Sequence, residues 1–337
     1  MGMRLKLLAE VVATAVAVAS ARRKRGPMRP SWSFVTELVA MAQKRLLTLS
    51  KQRGLSWLRE VQRTLPTRTP LDAQVRFEPV DAGGVRALWC APATVEPLER
   101  LVLYCHGGGY VIGSADSHRE VVARLAVGAR ARVLSLDYRL SPEAPFPAAQ
   151  EDCHRALEWL IERGADPATI ALAGDSAGGA LSVATLLARR DAGLPLPACA
   201  ILLCPWVDPL SDGGSMIENV PYDFGDRELL VGWIRSHARD PQIGTPTLTP
   251  LAADLRGLPP LLIQAGGAEI LLDQITSFAE SARASGVDVT FTVYPDMFHD
   301  FQMMASLVPA GMEAVAEMVA YLERQLVRAP STAAVSG

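Results

Sequence analysis

Gly174-Asp175-Ser176-Ala177-Gly178-Gly179 is the segment whose residue types and spacing point most directly to chemistry. A serine with glycine two residues away on either side can occupy a turn so sharp that its oxygen stands clear of the backbone. The apolar run TIALA enters this turn and the helical pattern AGGALSVATLLARR leaves it. Strand, turn and helix in that order make Ser176 a candidate nucleophile, with the positive end of a helix dipole beside it. Serine is a weak nucleophile and needs a base, which in turn needs an orienting acid. Of five histidines only His237 and His299 follow Ser176, as the chain order nucleophile, acid, histidine requires. His237 lies in the helix-like GWIRSHARD, where a solvated surface role is expected. His299 lies in YPDMFHDF, just past the strand-like VTFTVY, and is the expected base. The acid should follow the run LLIQAG, where Glu269 and Asp273 are both available. Glu269 comes first in that loop, 30 residues before His299, and is the expected acid. Asp273 has an alternative use as a cap or dipole partner of the next helix.

A second motif, His106-Gly107-Gly108-Gly109, follows the run LVLYC, 70 residues before Ser176. Consecutive glycines expose backbone N–H groups with no side chain in the way, and acyl transfer needs such donors at its developing oxyanion. Gly107, Gly108 and Gly109 are therefore candidate oxyanion residues, with the Ala177 N–H as a further donor. His106 and Asp175 are expected to support this loop and the serine turn rather than to act as bases.

These motifs need a scaffold. From residue 85 onward, short β-branched apolar runs (85–91, 101–106, 131–138, 169–175, 199–205, 261–266, 289–294) mostly alternate with amphipathic helical patterns. Buried strands alternating with helices predict an α/β fold, a mostly parallel sheet covered on both faces. Residues 1–65 are helical in pattern, and TLPTRTPLD reads as a loop. Residues 208–250 fit the alternation poorly and read as an insertion over the sheet. The expected organisation is an N-terminal helical cap segment, 1–65, and a catalytic domain, 66–330, with the cap insertion at 208–250. Trp32, Phe34, Phe224 and Trp233 are cap aromatics that could line an acyl pocket or simply pack.

Composition narrows the function class. The 337 residues are 49% hydrophobic and 20% charged, with a net charge of −3, so no global basic field points to nucleic acid. The odd count of cysteines, Cys90, Cys105, Cys153, Cys199 and Cys204, holds no CxxC pair and reads as reduced, buried thiols. A zinc site is not expected from this spacing. Residues 7–21 form an apolar run shorter than the roughly 20 residues that span a bilayer. Glu10 interrupts it and Arg22-Arg23-Lys24-Arg25 follows, which favours a structural or membrane-surface helix over a cleaved signal.

Taken together and in this order, HGGGYVIGS, DYRLSPEAPFPAAQEDC, GDSAGG, AGGAEILLDQ and YPDMFHDF resemble the hormone-sensitive-lipase-like (family IV) bacterial esterases over about residues 75–325. The resemblance implies an α/β-hydrolase fold with an eight-stranded sheet, a helical cap, and hydrolysis of short- to medium-chain acyl esters. It implies an oxyanion hole from Gly108, Gly109 and Ala177, and a bracing role for Tyr138 to Glu143. The family's acid is usually an aspartate in D-P-L, and Glu269 stands at that position here. No cofactor or metal is expected, and the expected partner is a small acyl ester rather than nucleic acid. Lactonase or amidase chemistry with the same residues is an alternative. A non-catalytic binder on this scaffold would be marked by a lost base, and His299 is present. The expected location is cytoplasmic, with peripheral membrane contact through the N-terminal helix and a homodimer both left open.

Overall fold

A computed structural model describes residues 2–65, 68–93 and 100–326. The expected domain limits at 66 and 330 lie outside the described residues. The strands are β1 (Val75–Asp81), β2 (Arg86–Pro92), β3 (Leu101–Cys105), β4 (Arg132–Leu136), β5 (Ile170–Asp175), β6 (Cys199–Leu203), β7 (Leu261–Gly266) and β8 (Val289–Tyr294). The helices are α1 (Met3–Arg25), α2 (Phe34–Arg53), α3 (Leu55–Thr64), α4 (Arg119–Gly128), α5 (Ala148–Glu162), α6 (Ala177–Asp191), α7 (Ser215–Glu218), α8 (Arg227–His237), α9 (Asp240–Ile243), α10 (Leu272–Ala284) and α11 (Pro309–Gln325). The strands form one sheet in the order β1-β2-β4-β3-β5-β6-β7-β8. Only the β1–β2 and β2–β4 pairs are antiparallel.

Seven apolar runs of the sequence become β2 to β8. Strand β1 is not among them, because Arg76, Glu78 and Pro79 interrupt its apolar pattern. An edge strand paired on one side only tolerates such residues. The inner strands are apolar on both sides because both faces are covered. In β3, Val102 and Tyr104 pack with α4 and α11, whereas Leu103 and Cys105 point to the opposite core with α5, α6 and α10.

Strand order reverses around β3, whose two neighbours are β4 and β5. In open parallel sheets the crevice outside the carboxyl ends at such a point is the place for a ligand. The HGGG segment leaves β3 there and the Ser176 turn leaves β5. Between β6 and β7 the chain makes the insertion that carries α7, α8 and α9. The N-terminal helices are tied down by polar contacts. Arg22 and Arg25 pair with the buried Glu37 at 2.6 and 2.5 Å. Arg29 pairs with Asp296, and the Trp32 indole donates to the Asp296 carbonyl at 2.7 Å, close to the loop that carries His299.

Candidate active site

Ser176 caps the start of α6 with φ 50° and ψ −118°. A non-glycine residue in that region is strained, and such strain is kept where neighbours over-determine it. Its N–H donates to the Leu203 carbonyl at 2.8 Å, and its carbonyl accepts from Trp206 N–H at 3.0 Å. A Cβ on Gly178 would collide with the carbonyls of Cys105 and His106, so only glycine lets α6 approach β3 this closely.

His299 and Glu269 come from the loops after β8 and β7. The imidazole Nδ1 lies 2.6 Å from Glu269 Oε2, and Glu269 Oε1 accepts the Gly266 N–H at 2.7 Å. Both groups are buried. Asp273, the other acid in this segment, lies in α10 and accepts the Ser215 N–H at 2.8 Å. The other ring nitrogen of His299, Nε2, faces Asp300 Oδ2 at 3.1 Å. Burial by itself pulls the His299 pKa down, but the Asp300 charge and the ring's hydrogen bonds with Asp300, Cys204 and Glu269 outweigh it and hold it well above the ordinary value. Burial pushes the Asp300 carboxyl up to about 7.

Asp223, which sequence reasoning does not single out, reaches both loops from the insertion. Its Oδ1 accepts the His299 N–H at 2.9 Å and its Oδ2 accepts the Ile270 N–H at 2.7 Å. Fully buried, it has its pKa raised to about 6 by desolvation. The ring of its neighbour Phe224 lies tilted against the His299 ring, with centroids 4.6 Å apart. Nothing local in PYDFGD announces this role, since it depends on partners 47 and 76 residues away.

On the other wall, Asp175 collects the Gly107 N–H at 2.9 Å, the Tyr104 hydroxyl at 2.7 Å and His118 Nε2 at 3.2 Å. Burial raises the Asp175 pKa, but the His118 charge overrides this and holds it low. Burial likewise lowers His118, and Asp175 overrides that and raises it, so the two form a buried ion pair. His118 precedes Ser176, outside the chain order that singles out a base, and carries no local signal of this role. His106 Nδ1 lies 2.7 Å from the Gly107 carbonyl, and its ring stacks on Tyr138 at 4.2 Å. Burial and the neighbouring His118 lower its pKa to about 3, which keeps it neutral.

The Gly107 N–H donates to Asp175 Oδ2, which anchors the start of the glycine loop. Gly108 and Gly109 have positive φ, 109° and 60°, and line the cleft. Ala177 is the first residue of α6, where an N–H has no partner within its own helix.

A family described as the alpha/beta hydrolase fold matches residues 102–303. An acetyl-hydrolase of Streptomyces hygroscopicus is 42% identical over 249 residues, covering 72% of this chain and 81% of that protein. The carboxylesterase NlhH of Mycobacterium tuberculosis is 34% identical over 296 residues, covering 83% and 92%. An esterase crystal structure from the bacterial hormone-sensitive lipase family superposes with a TM-score of 0.77 at 40% identity, covering 84% of this chain and 98% of that one. The chain belongs to the bacterial hormone-sensitive-lipase-like carboxylesterases.

The cleft of this esterase has a volume of about 1030 Å³ and brings Ser176, His299, Gly108 and Gly109 to one surface. Leu47 of α2 and Leu58 of α3 line it on one side, and Phe224, Leu230 and Trp233 of the insertion on another. The Trp233 ring sits where a Cβ of Gly109 would be. Of the other two cap aromatics, Trp32 packs edge-on against Phe298 at 6.0 Å, and Phe34 is exposed. His237, expected at the surface, is fully buried. It stacks on Tyr110 at 4.1 Å and bonds Ser141 Oγ at 2.8 Å, because α8 packs inward over the glycine loop.

Cys204, Glu269 and His299 bring their ligand atoms within 4.8 Å of one another, but they do not form a good metal donor set. Both Glu269 oxygens are already accepting, and burial raises the Cys204 pKa well above the ordinary range, which keeps it a thiol.

Proposed function

We propose that this carboxylesterase hydrolyses short- to medium-chain acyl esters through an acyl-enzyme on Ser176. The observation that carries the reading is the convergence on one cleft of a hydroxyl on a strained turn, an imidazole 2.6 Å from a buried carboxylate, and two glycines of positive φ. His299, its Nδ1–H held by Glu269, takes the Ser176 proton at Nε2 as the serine oxygen bonds to the ester carbonyl carbon. For this, Nε2 must turn from Asp300 toward Ser176. The N–H groups of Gly108, Gly109 and Ala177 stabilise the resulting oxyanion. Collapse of the intermediate breaks the bond to the alkoxide, which leaves with the proton from Nε2. Water then attacks the acyl-enzyme with the roles reversed, and no cofactor takes part.

A short acyl group is supported by the apolar walls of the cleft. The structural neighbour EstE5, 31% identical with a TM-score of 0.78 and covering 95% of this chain, was soaked with p-nitrophenyl butyrate. The test is hydrolysis of p-nitrophenyl esters from acetate to palmitate beside the matching anilides, with fluorophosphonate labelling. Turnover should peak among the shorter esters, and the label should map to Ser176. Ser176→Ala should lose about 10⁴-fold or more in kcat, and Glu269→Gln about 10²-fold or more, while Asp273→Asn stays within a few-fold. Faster cleavage of the anilides would turn the assignment to an amidase, and retained turnover in Ser176→Ala would refute the nucleophile.

A further inference from the structure

Helix α1 turns Leu7 and Val18 inward and leaves its outer side apolar. Leu5, Leu8, Val12 and Val16 are 57, 57, 54 and 65% exposed. Their spacing puts them on a single stripe, with the exposed Ala9 and Ala13 beside it. From residue 7 to residue 21 the sole charged residue is Glu10, which lies off the stripe and pairs with Arg45. Both ends of the stripe are basic. Arg4 and Lys6 are exposed at the start and Arg23 and Lys24 at the end, whereas Arg22 and Arg25 turn toward Glu37.

We infer that the outer face of α1 docks on an anionic lipid surface, with the helix lying in the plane of the headgroups. Apolar side chains enter the acyl boundary while the flanking cations meet lipid phosphates. A second copy of this chain is a poor occupant of the same face. A twofold axis across the helix would set Arg4 and Lys6 against Arg23 and Lys24 of the other copy, and an axis along it would set each cation against itself. Either pairing brings like charges together without an acid on the stripe to offset them. Crossing the bilayer is not available either, since no described helix is long and apolar enough. The face belongs to the helix that packs on α2 and α3, whose residues wall the cleft, so docking would hold the cleft near the membrane.

The test is co-sedimentation of the full chain with phosphatidylcholine vesicles, with and without phosphatidylglycerol, over a range of salt. Binding should require phosphatidylglycerol and weaken as salt rises. The triple substitution Leu8→Gln, Val12→Gln, Val16→Gln and the charge reversal Arg23→Glu, Lys24→Glu should each weaken it by about tenfold or more. Unchanged circular dichroism and melting would show that these variants fold. Absence of binding at low salt, or binding unaffected by both variants, would overturn the inference. So would light scattering that shows a dimer which the triple substitution dissociates, since the face would then be covered by a second copy.

Discussion

Glu269 and Asp300 stand 2.6 and 3.1 Å from the two ring nitrogens of His299, and their consequences differ. At Nδ1 a carboxylate orients the ring and, in the mechanism we propose, stabilises its charge. At Nε2 a carboxylate holds the nitrogen that, in the mechanism we propose, accepts the proton of Ser176. A base with a raised pKa stays protonated, and inactive, to a higher pH than a free imidazole. The acid limb of kcat/KM should therefore lie above pH 6.5. Asp300→Asn removes the charge that does most to raise His299, so its acid limb should move to lower pH. A pH–rate profile of that variant with a neutral ester checks this, and an unmoved limb would show that Nε2 does not face the Asp300 charge in solution.

Elements form as the sequence suggests where their signal is contiguous. β5, the Ser176 turn and α6 arise from adjacent residues, so strand, turn and helix can be read in order. β1 gives no such signal, because an edge strand needs little apolar pattern. The surface role expected for His237 fails because helical spacing does not say what packs above a helix. Glycines separate the same two kinds of information. Gly232 lies exposed in α8 with nothing within 4 Å of an added Cβ, whereas Gly178 faces two carbonyls across the α6–β3 contact. Gly232→Ala should raise stability by about 0.5–1 kcal/mol through helix propensity. Gly178→Ala should lower it by about 3 kcal/mol or more, since backbone must shift to make room. Urea denaturation of both variants distinguishes the two effects.

Across the molecule no disulfide ties the packed layers together. All five cysteines are free and buried, and even Cys105 and Cys153, with Sγ atoms 3.2 Å apart, remain thiols. The melting midpoint should thus be the same with and without dithiothreitol, and a fall on reduction would reveal a disulfide. The order of residues carries the fold class and the family, and it nominates Ser176, His299 and the glycine loop for the chemistry we propose. Each motif depends on residues within a few positions of one another, where backbone sterics and strand or helix periodicity act, and the linear order of the motifs is itself part of the sequence. Other features required the folded chain: the His118–Asp175 pair, 57 residues apart; the reach of Asp223 into both loops; the engagement of the Gly107 N–H; the position of Asp300 at Nε2; and the bare outer face of α1. Each is a matter of which groups meet after long loops close and which surfaces remain uncovered, and local pattern carries no record of that.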